Sequence, residues 1–147
     1  MQDLRERLKS IKNMSDLTYD DIDKYGEKLG MEMYNKELTV TQLRKIHNII
    51  LFHKHNIILF HKQKFDKDRL RLIKPLLAYT AAKNPKAKDL CDQLRNLVDK
   101  VNNEEDFEKF YRLMESILAY YEYYEKTRSN RQYKKQYYEG WNEDDLR

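Results

Sequence analysis

The sequence predicts an all-α protein, a compact bundle of five to six helices with one long central helix. Three observations carry this. Glycine and proline, the residues that punctuate turns, number only 3 and 2 in 147 residues. Apolar residues recur at spacings of three, four and seven, the period of one helix face. Charged residues make up 37% of the chain, and carboxylates interleave with Lys and Arg at helix spacing, as they do on solvated faces.

The elements follow in order. A first short helix is expected from Asp3 to about Lys12, with Leu4, Leu8 and Ile11 on one face. Thr18-Tyr-Asp-Asp21 puts a hydroxyl three residues before a carboxylate, a capping box that opens a second helix through Ile22, Tyr25, Leu29 and Met33. Within it Gly26 and Gly30 either weaken the helix or allow a close approach. Thr39-Val-Thr-Gln42 repeats the capping pattern, so a third helix starts near Val40. Phe65 or Asp66 marks a turn into a fourth helix that ends at Lys83-Asn84, with Pro75 kinking it or confining its regular part to one side. Asn84-Pro85 reads as a cap followed by proline at the first helical position. A fifth helix follows on Ala87, Leu90, Cys91, Leu94, Leu97, Val98 and Val101. Asn103 caps a sixth, striped by Phe107, Phe110, Tyr111, Met114, Ile117, Leu118 and Tyr121. The organisation is then one helical domain over 1–124 and a tyrosine- and charge-rich helical extension or flexible tail over 125–147.

The third helix contains the most unusual stretch, HNIILFHKHNIILFHK from His47 to Lys62, one octapeptide written twice. It holds all 4 histidines, but their spacings of six, two and six do not converge on a helix. His53 and His55 point about 200° apart, and His47 and His61 are separated by ~21 Å along the axis. No metal or other cofactor is expected. Leu43, Ile46, Ile50, His53, Ile57 and Phe60 alternate in steps of three and four, a heptad seam with one polar place. Leu51, Phe52, Ile58 and Leu59 fall on the other side and need a second partner. The helix is therefore central in its bundle or shared between subunits, and an overlong apolar helix favours domain swapping. On this reading Ile46, Ile50, His53, Ile57 and Phe60 are candidate oligomer-interface residues, and His53 could make assembly pH-sensitive. A tolerated duplication beside an exposed loop is the alternative.

Composition narrows the function. Lys and Arg total 29 against 25 Asp and Glu, a net charge of +4, which permits polyanion binding without requiring it. The single Cys91 excludes an internal disulfide framework, and no signal-peptide pattern opens the chain, so a cytoplasmic setting is expected. Apolar runs reach only four residues, far short of the ~20 that span a bilayer. No nucleotide-binding glycine loop, GxSxG, HExxH or CxxC is present, and catalysis is not expected. Basic residues do gather around helix starts, where phosphates also meet unpaired amides. Arg44 and Lys45 follow the third helix's cap; the next segment carries Lys64, Lys67, Arg69, Arg71, Lys74 and Lys83; the sixth helix adds Lys109 and Arg112.

Three stretches together, LTVTQLRKI (Leu38 to Ile46), KPLLAYTAAKN (Lys74 to Asn84) and FEKFYRLMESILAYYEYY (Phe107 to Tyr124), resemble in their order and spacing the small subunit of the type III-A CRISPR effector, the Csm complex. The resemblance spans roughly Tyr25 to Tyr124. It implies a non-enzymatic helical protein of antiviral defence, present in several copies as an inner filament, with guide RNA, target RNA and the other Csm subunits as partners. Carried over by motif position, the implied RNA-facing residues are Gln42, Arg44, Lys45, Lys74, Lys83 and Arg112, with Glu115 a structural or subunit contact. At Ala82-Lys83 the family tends to end in Gly-Arg, so the charge is kept and arginine's fork is lost. The octapeptide repeat and the tyrosine-rich end also depart from the family. A homo-oligomeric helical adaptor that binds only protein is the competing reading.

Overall fold

The structure, a computed structural model, describes residues 2–55 and 65–137. Among these residues it is helical throughout, without strands, as α1 (Gln2–Ser10), α2 (Tyr19–Asn35), α3 (Val40–His53), α4 (Lys67–Leu70), α5 (Ile73–Lys83), α6 (Lys88–Val98) and α7 (Glu104–Tyr137), with 3₁₀ turns at Met14–Asp16 and Pro85–Ala87. The expected all-α bundle is therefore present. Continuation of the third helix through the second octapeptide copy, including Ile57 and Phe60, lies outside the described residues.

The predicted caps account for three of the seven helix starts among the described residues. Thr18 Oγ1 accepts from the Asp21 amide at 3.1 Å while the Asp21 carboxylate accepts from the Thr18 amide at 3.0 Å. Thr39 and Gln42 make the same reciprocal pair at 3.1 and 3.0 Å. At α7, Asn103 Oδ1 accepts from the Asp106 amide at 2.8 Å, and the buried Asp106 carboxylate reaches back to the Asn102 amide. Each arrangement satisfies donors that a helix terminus leaves without partners.

Two expected boundaries differ. The fourth helix is divided, because in one continuous helix the Pro75 ring would strike the carbonyl of residue 71, four positions earlier. The chain breaks at Arg71-Leu72 instead, leaving Pro75 third in α5, where its missing N–H has no helical acceptor to lose. Asn84 makes no N-cap bond. Its side chain accepts from Gln42 and donates to the Thr80 carbonyl, so Pro85 opens a 3₁₀ turn and α6 begins at Lys88.

The α2–α7 pair organises the core. Contacts advance together along both helices, from Leu17 with Lys109 to Asn35 with Arg128, so the two run parallel. They approach closely through the glycines: a Cβ on Gly26 would lie 2.3 Å from Ser116 Cβ, and one on Gly30 would lie 2.7 Å from the Ile117 carbonyl oxygen and 2.8 Å from the Tyr121 nitrogen. Close approach, rather than helix weakening, is their role. On this base α3 packs antiparallel to α7, the α5–α6 hairpin closes against α3, and α1 covers α6. Arg5 of α1 and Lys36 at the end of α2 both bridge Glu32 and Asp89, tying α1, α2 and α6 together. Beyond Tyr121 the extension of α7 still holds to α2: Tyr124 donates to Glu27 at 2.8 Å, and the Arg128 guanidinium sits 5.4 and 5.3 Å from the Tyr34 and Tyr124 ring centres.

The α2–α3 corner is a Schellman turn. Leu38 N bonds the Met33 carbonyl at 3.1 Å and Glu37 N bonds the Tyr34 carbonyl at 3.0 Å, with buried Leu38 and Met33 supplying the apolar contact. Glu37 occupies the left-handed position at φ 62° that glycine ordinarily takes.

The α3 seam is closed by the chain itself. Leu43, Ile46 and Ile50 are fully buried, and His53, 6% exposed, packs 5.4 Å from the Phe107 ring centre. Ile46, Ile50 and His53 thus face α7 and α5 of their own chain. Burial lowers the pKa of His53 and of His47 below the usual histidine value, with Asp66 and Glu115 opposing weakly.

Three outcomes follow from this packing. Helix propensity alone would make Gly30→Ala stabilising by about 1 kcal/mol, but the clash with α7 backbone reverses the sign, and denaturant unfolding should show a loss of about 2 kcal/mol or more. Glu37→Gly should stabilise by roughly 1 kcal/mol, seen as a higher urea midpoint with an unchanged slope. The two histidines are held neutral in the fold and gain protons on unfolding, so their contribution is fully present above about pH 7 and is lost as pH falls through the unfolded value of about 6.5 toward their lower folded values. Urea midpoints should therefore fall between pH 7 and pH 5, and His53→Leu should flatten that decline.

Candidate nucleic-acid interface

The N-terminal turn of α3 and the C-terminal end of α5 meet at a small polar cavity of about 220 Å³, lined by Glu37, Thr39, Gln42, Lys83, Asn84, Pro85 and Lys86. Gln42 is the strut of this junction. Its Oε1 caps the Thr39 amide at 3.0 Å while its Nε2 donates to Asn84 Oδ1 at 2.7 Å. Asn84 in turn donates to the Thr80 carbonyl at 3.3 Å. This chain fixes the end of α5 against the start of α3 and thereby sets Lys83 and Lys86 at one rim. Lys86 lies 3.9 Å from the highly exposed Glu37, a distance and exposure at which an ion pair contributes little. The ammonium of Lys83 meets no carboxylate among the described residues and stands 4.8 Å above the Tyr79 ring.

The sequence-predicted basic residues divide by what they touch. Gln42 and Lys83 are brought together in the cavity; Arg44 and Lys45 follow on α3, with Arg44 about 200° around the helix from Gln42. Arg44 is exposed and reaches Glu122 of α7 at 2.6 Å, whereas exposed Lys45 has no side-chain partner among the described residues. Lys74 stands at the other end of α5, nine residues or ~14 Å from Lys83, and is bound to Asp99 at 2.8 Å. That bond holds the Asp99 carboxyl below the usual carboxylate range, with Arg71 adding a second charge at 3.4 Å. Lys67 is spent nearby on the Asp99 carbonyl and Asn102. Arg112 is held between Glu108 at 2.9 Å and Glu115 at 2.8 Å on its own helix. Lys109 donates to the Leu17 carbonyl at 2.6 Å. Lys74, Arg112 and Lys109 therefore serve intramolecular contacts, whereas Lys45 and Lys83 meet no carboxylate among the described residues.

Two members of this junction were not singled out in the sequence. Lys86 follows Pro85 and reaches the rim only because the 3₁₀ turn carries it there. Tyr79 was legible in principle, since an aromatic residue four positions before a lysine on a helix places ring and ammonium together.

A second surface differs in chemistry. Ile49, Phe52 and His53 of α3 and Arg69, Leu72, Ile73 and Leu76 of the α4–α5 segment line an apolar groove of about 370 Å³. Phe52 and Leu72 are each 68% exposed at its edge. No three His, Cys, Asp or Glu side chains converge as a metal site among the described residues, and none of the described helices is long and apolar enough to cross a membrane.

The model of the Csm2 Type III-A family matches residues 16–127, from the turn before α2 to the α7 segment that Arg128 fastens to α2. No curated protein and no solved structure matches the chain. The matched span includes all three stretches that suggested the resemblance, both capping boxes and the α3–α5 junction. The chain belongs to the Csm2 Type III-A family, the small subunit of the type III-A Csm complex.

Proposed function

We propose that this chain is a non-catalytic, inner-filament subunit of the Csm ribonucleoprotein that contacts the sugar-phosphate backbone of target RNA paired with guide RNA, in antiviral defence. The observation that carries the reading is the α3–α5 junction, where the Gln42–Asn84 strut sets Lys83 and Lys86 at one rim of a polar cavity. Cations without strong intramolecular partners bind phosphates at little cost in broken ion pairs, and a surface of this kind binds without sequence preference. The lining of the junction supports binding rather than turnover, since its titratable groups are Glu37, Lys83 and Lys86 and no histidine or cysteine adjoins them. Neighbouring copies and the other subunits would supply avidity to a surface that is modest in one copy. The apolar groove at Phe52, Leu72 and Leu76 favours protein contacts, and it is the feature on which the reading of a protein-only adaptor rests.

A gel-shift titration against unstructured RNA at several salt concentrations separates the two. An RNA-contacting subunit should lose affinity with a log-log slope of about −0.7 per neutralised phosphate, while a protein-only adaptor should show no shift at any salt. Arg44→Ala with Lys45→Ala should weaken binding and flatten that slope without loss of helicity, because the exposed Arg44–Glu122 pair contributes at most about 1 kcal/mol to the fold. Unchanged crosslinking to target RNA in the double variant would remove these two residues from the interface.

A further inference from the structure

We infer that Tyr79 and Lys83 form a nucleobase platform at the edge of the α3–α5 junction, with an unpaired base of the bound RNA stacked on the tyrosine ring and its phosphate at Lys83 and Lys86. The inference deepens the RNA-contact reading and rests on it. Tyr79 lies opposite the buried stripe of α5 formed by Ile73, Leu77 and Ala81, and is 60% exposed. Its hydroxyl has no partner among the described residues, whereas Tyr120, Tyr121 and Tyr124 spend theirs on Asp23, the Leu38 carbonyl and Glu27. Among the described residues two other tyrosines, Tyr19 and Tyr123, are comparably exposed, but their surroundings differ. Tyr19 lies under Lys109, whose ammonium is already committed to the Leu17 carbonyl, and Tyr123 meets the Tyr124 ring edge-on. Of these three, Tyr79 borders a polar cavity through a lysine that meets no carboxylate among the described residues.

The chemistry suits a base and its phosphate. Every base presents a π-face to a ring, so stacking tolerates sequence, and single-strand sites pair such rings with a cationic track along the backbone. The Lys83 contact with Tyr79 is an exposed cation–π interaction, worth little compared with a charge-assisted bond to phosphate. Its ammonium can therefore turn toward phosphate and leave the ring to the base. Beside it the Gln42 and Asn84 amides, already oriented by their mutual bond, keep spare hydrogen-bonding capacity for a base edge or ribose hydroxyl.

The test uses the full chain, short oligouridylate RNA and a base-less ribose-phosphate strand of equal length, with binding measured across salt. Tyr79→Ala and Tyr79→Leu should weaken oligouridylate binding by about five- to a hundred-fold at an unchanged salt slope, and Tyr79→Phe should bind as the unaltered chain does. Lys83→Ala should instead reduce the slope by about 0.7. On the base-less strand the difference between the unaltered chain and Tyr79→Ala should vanish. Equal oligouridylate affinity for the unaltered chain and Tyr79→Ala, or a loss in Tyr79→Ala that persists on the base-less strand, would overturn the platform while leaving the RNA-contact reading standing. Tyr79→Ala impairing incorporation into the Csm complex but not RNA binding would assign this face to a protein neighbour and overturn it as well. An unaltered chain that binds neither strand at any salt would remove the underlying reading together with the platform.

Discussion

The fold depends on one close approach, that of α2 to α7 through Gly26 and Gly30. A Cβ at Gly30 would collide with backbone atoms of Ile117 and Tyr121, groups that cannot swing aside as a side-chain tip can. This contact fixes the parallel register of the two helices, and much else inherits that register. It sets Tyr121 beneath the Leu38 carbonyl, brings Glu122 to Arg44 at the start of α3, and lets Tyr120 and Tyr124 reach Asp23 and Glu27. Helices that meet through ordinary side chains stand about 8–10 Å apart. Glycines remove that spacing at two successive turns of α2, so α7 can serve as a mast for both α2 and α3.

The candidate interface is best understood as what remains after the chain has satisfied its own charges. Many of the 29 cations are matched within the chain. Asp99 gathers Lys74 and Arg71, Glu32 and Asp89 gather Arg5 and Lys36, and Glu108 and Glu115 hold Arg112. At the α3–α5 junction Glu37 stands by Lys86 and Glu122 pairs with Arg44, while Lys45 and Lys83 meet no carboxylate among the described residues. Glu37 stands there at a positive φ where glycine would cost less, and its carboxylate is the one acidic group that lines the cavity. A strained acidic residue beside a cationic surface fits the tendency of backbone strain to gather at functional sites.

The octapeptide shows how an apolar helix can be read in pattern while its partner is left open between its own bundle and a second copy. Its first copy continues the heptad seam that begins at Leu43, and the structure buries Ile46, Ile50 and His53 together. Along the described part of that seam the partners are α7 and α5 of the same chain. The opposite side divides: Leu51 packs at the edge of the core, whereas Phe52 stays largely exposed beside the groove with Leu72 and Leu76.

The sequence by itself determined the helical class, three caps and the faces that enter the core, because these rest on interactions within one turn or on a 3.6-residue period. Thr18, Thr39 and Asn103 announce their helices without tertiary help, and Leu90 through Val98 or Phe107 through Tyr121 display their buried stripes directly. Motif order also placed the chain near its family. Partners were decided only by tertiary structure. Asn84, a plausible N-cap by position, became a brace because Gln42 arrived from 42 residues away. Arg112 and Lys74 looked as available as Lys83 until Glu108, Glu115 and Asp99 were placed beside them. Exposure of a charge, and the identity of the surface that covers an apolar seam, are sums over groups distant in sequence, and a one-dimensional pattern does not contain them.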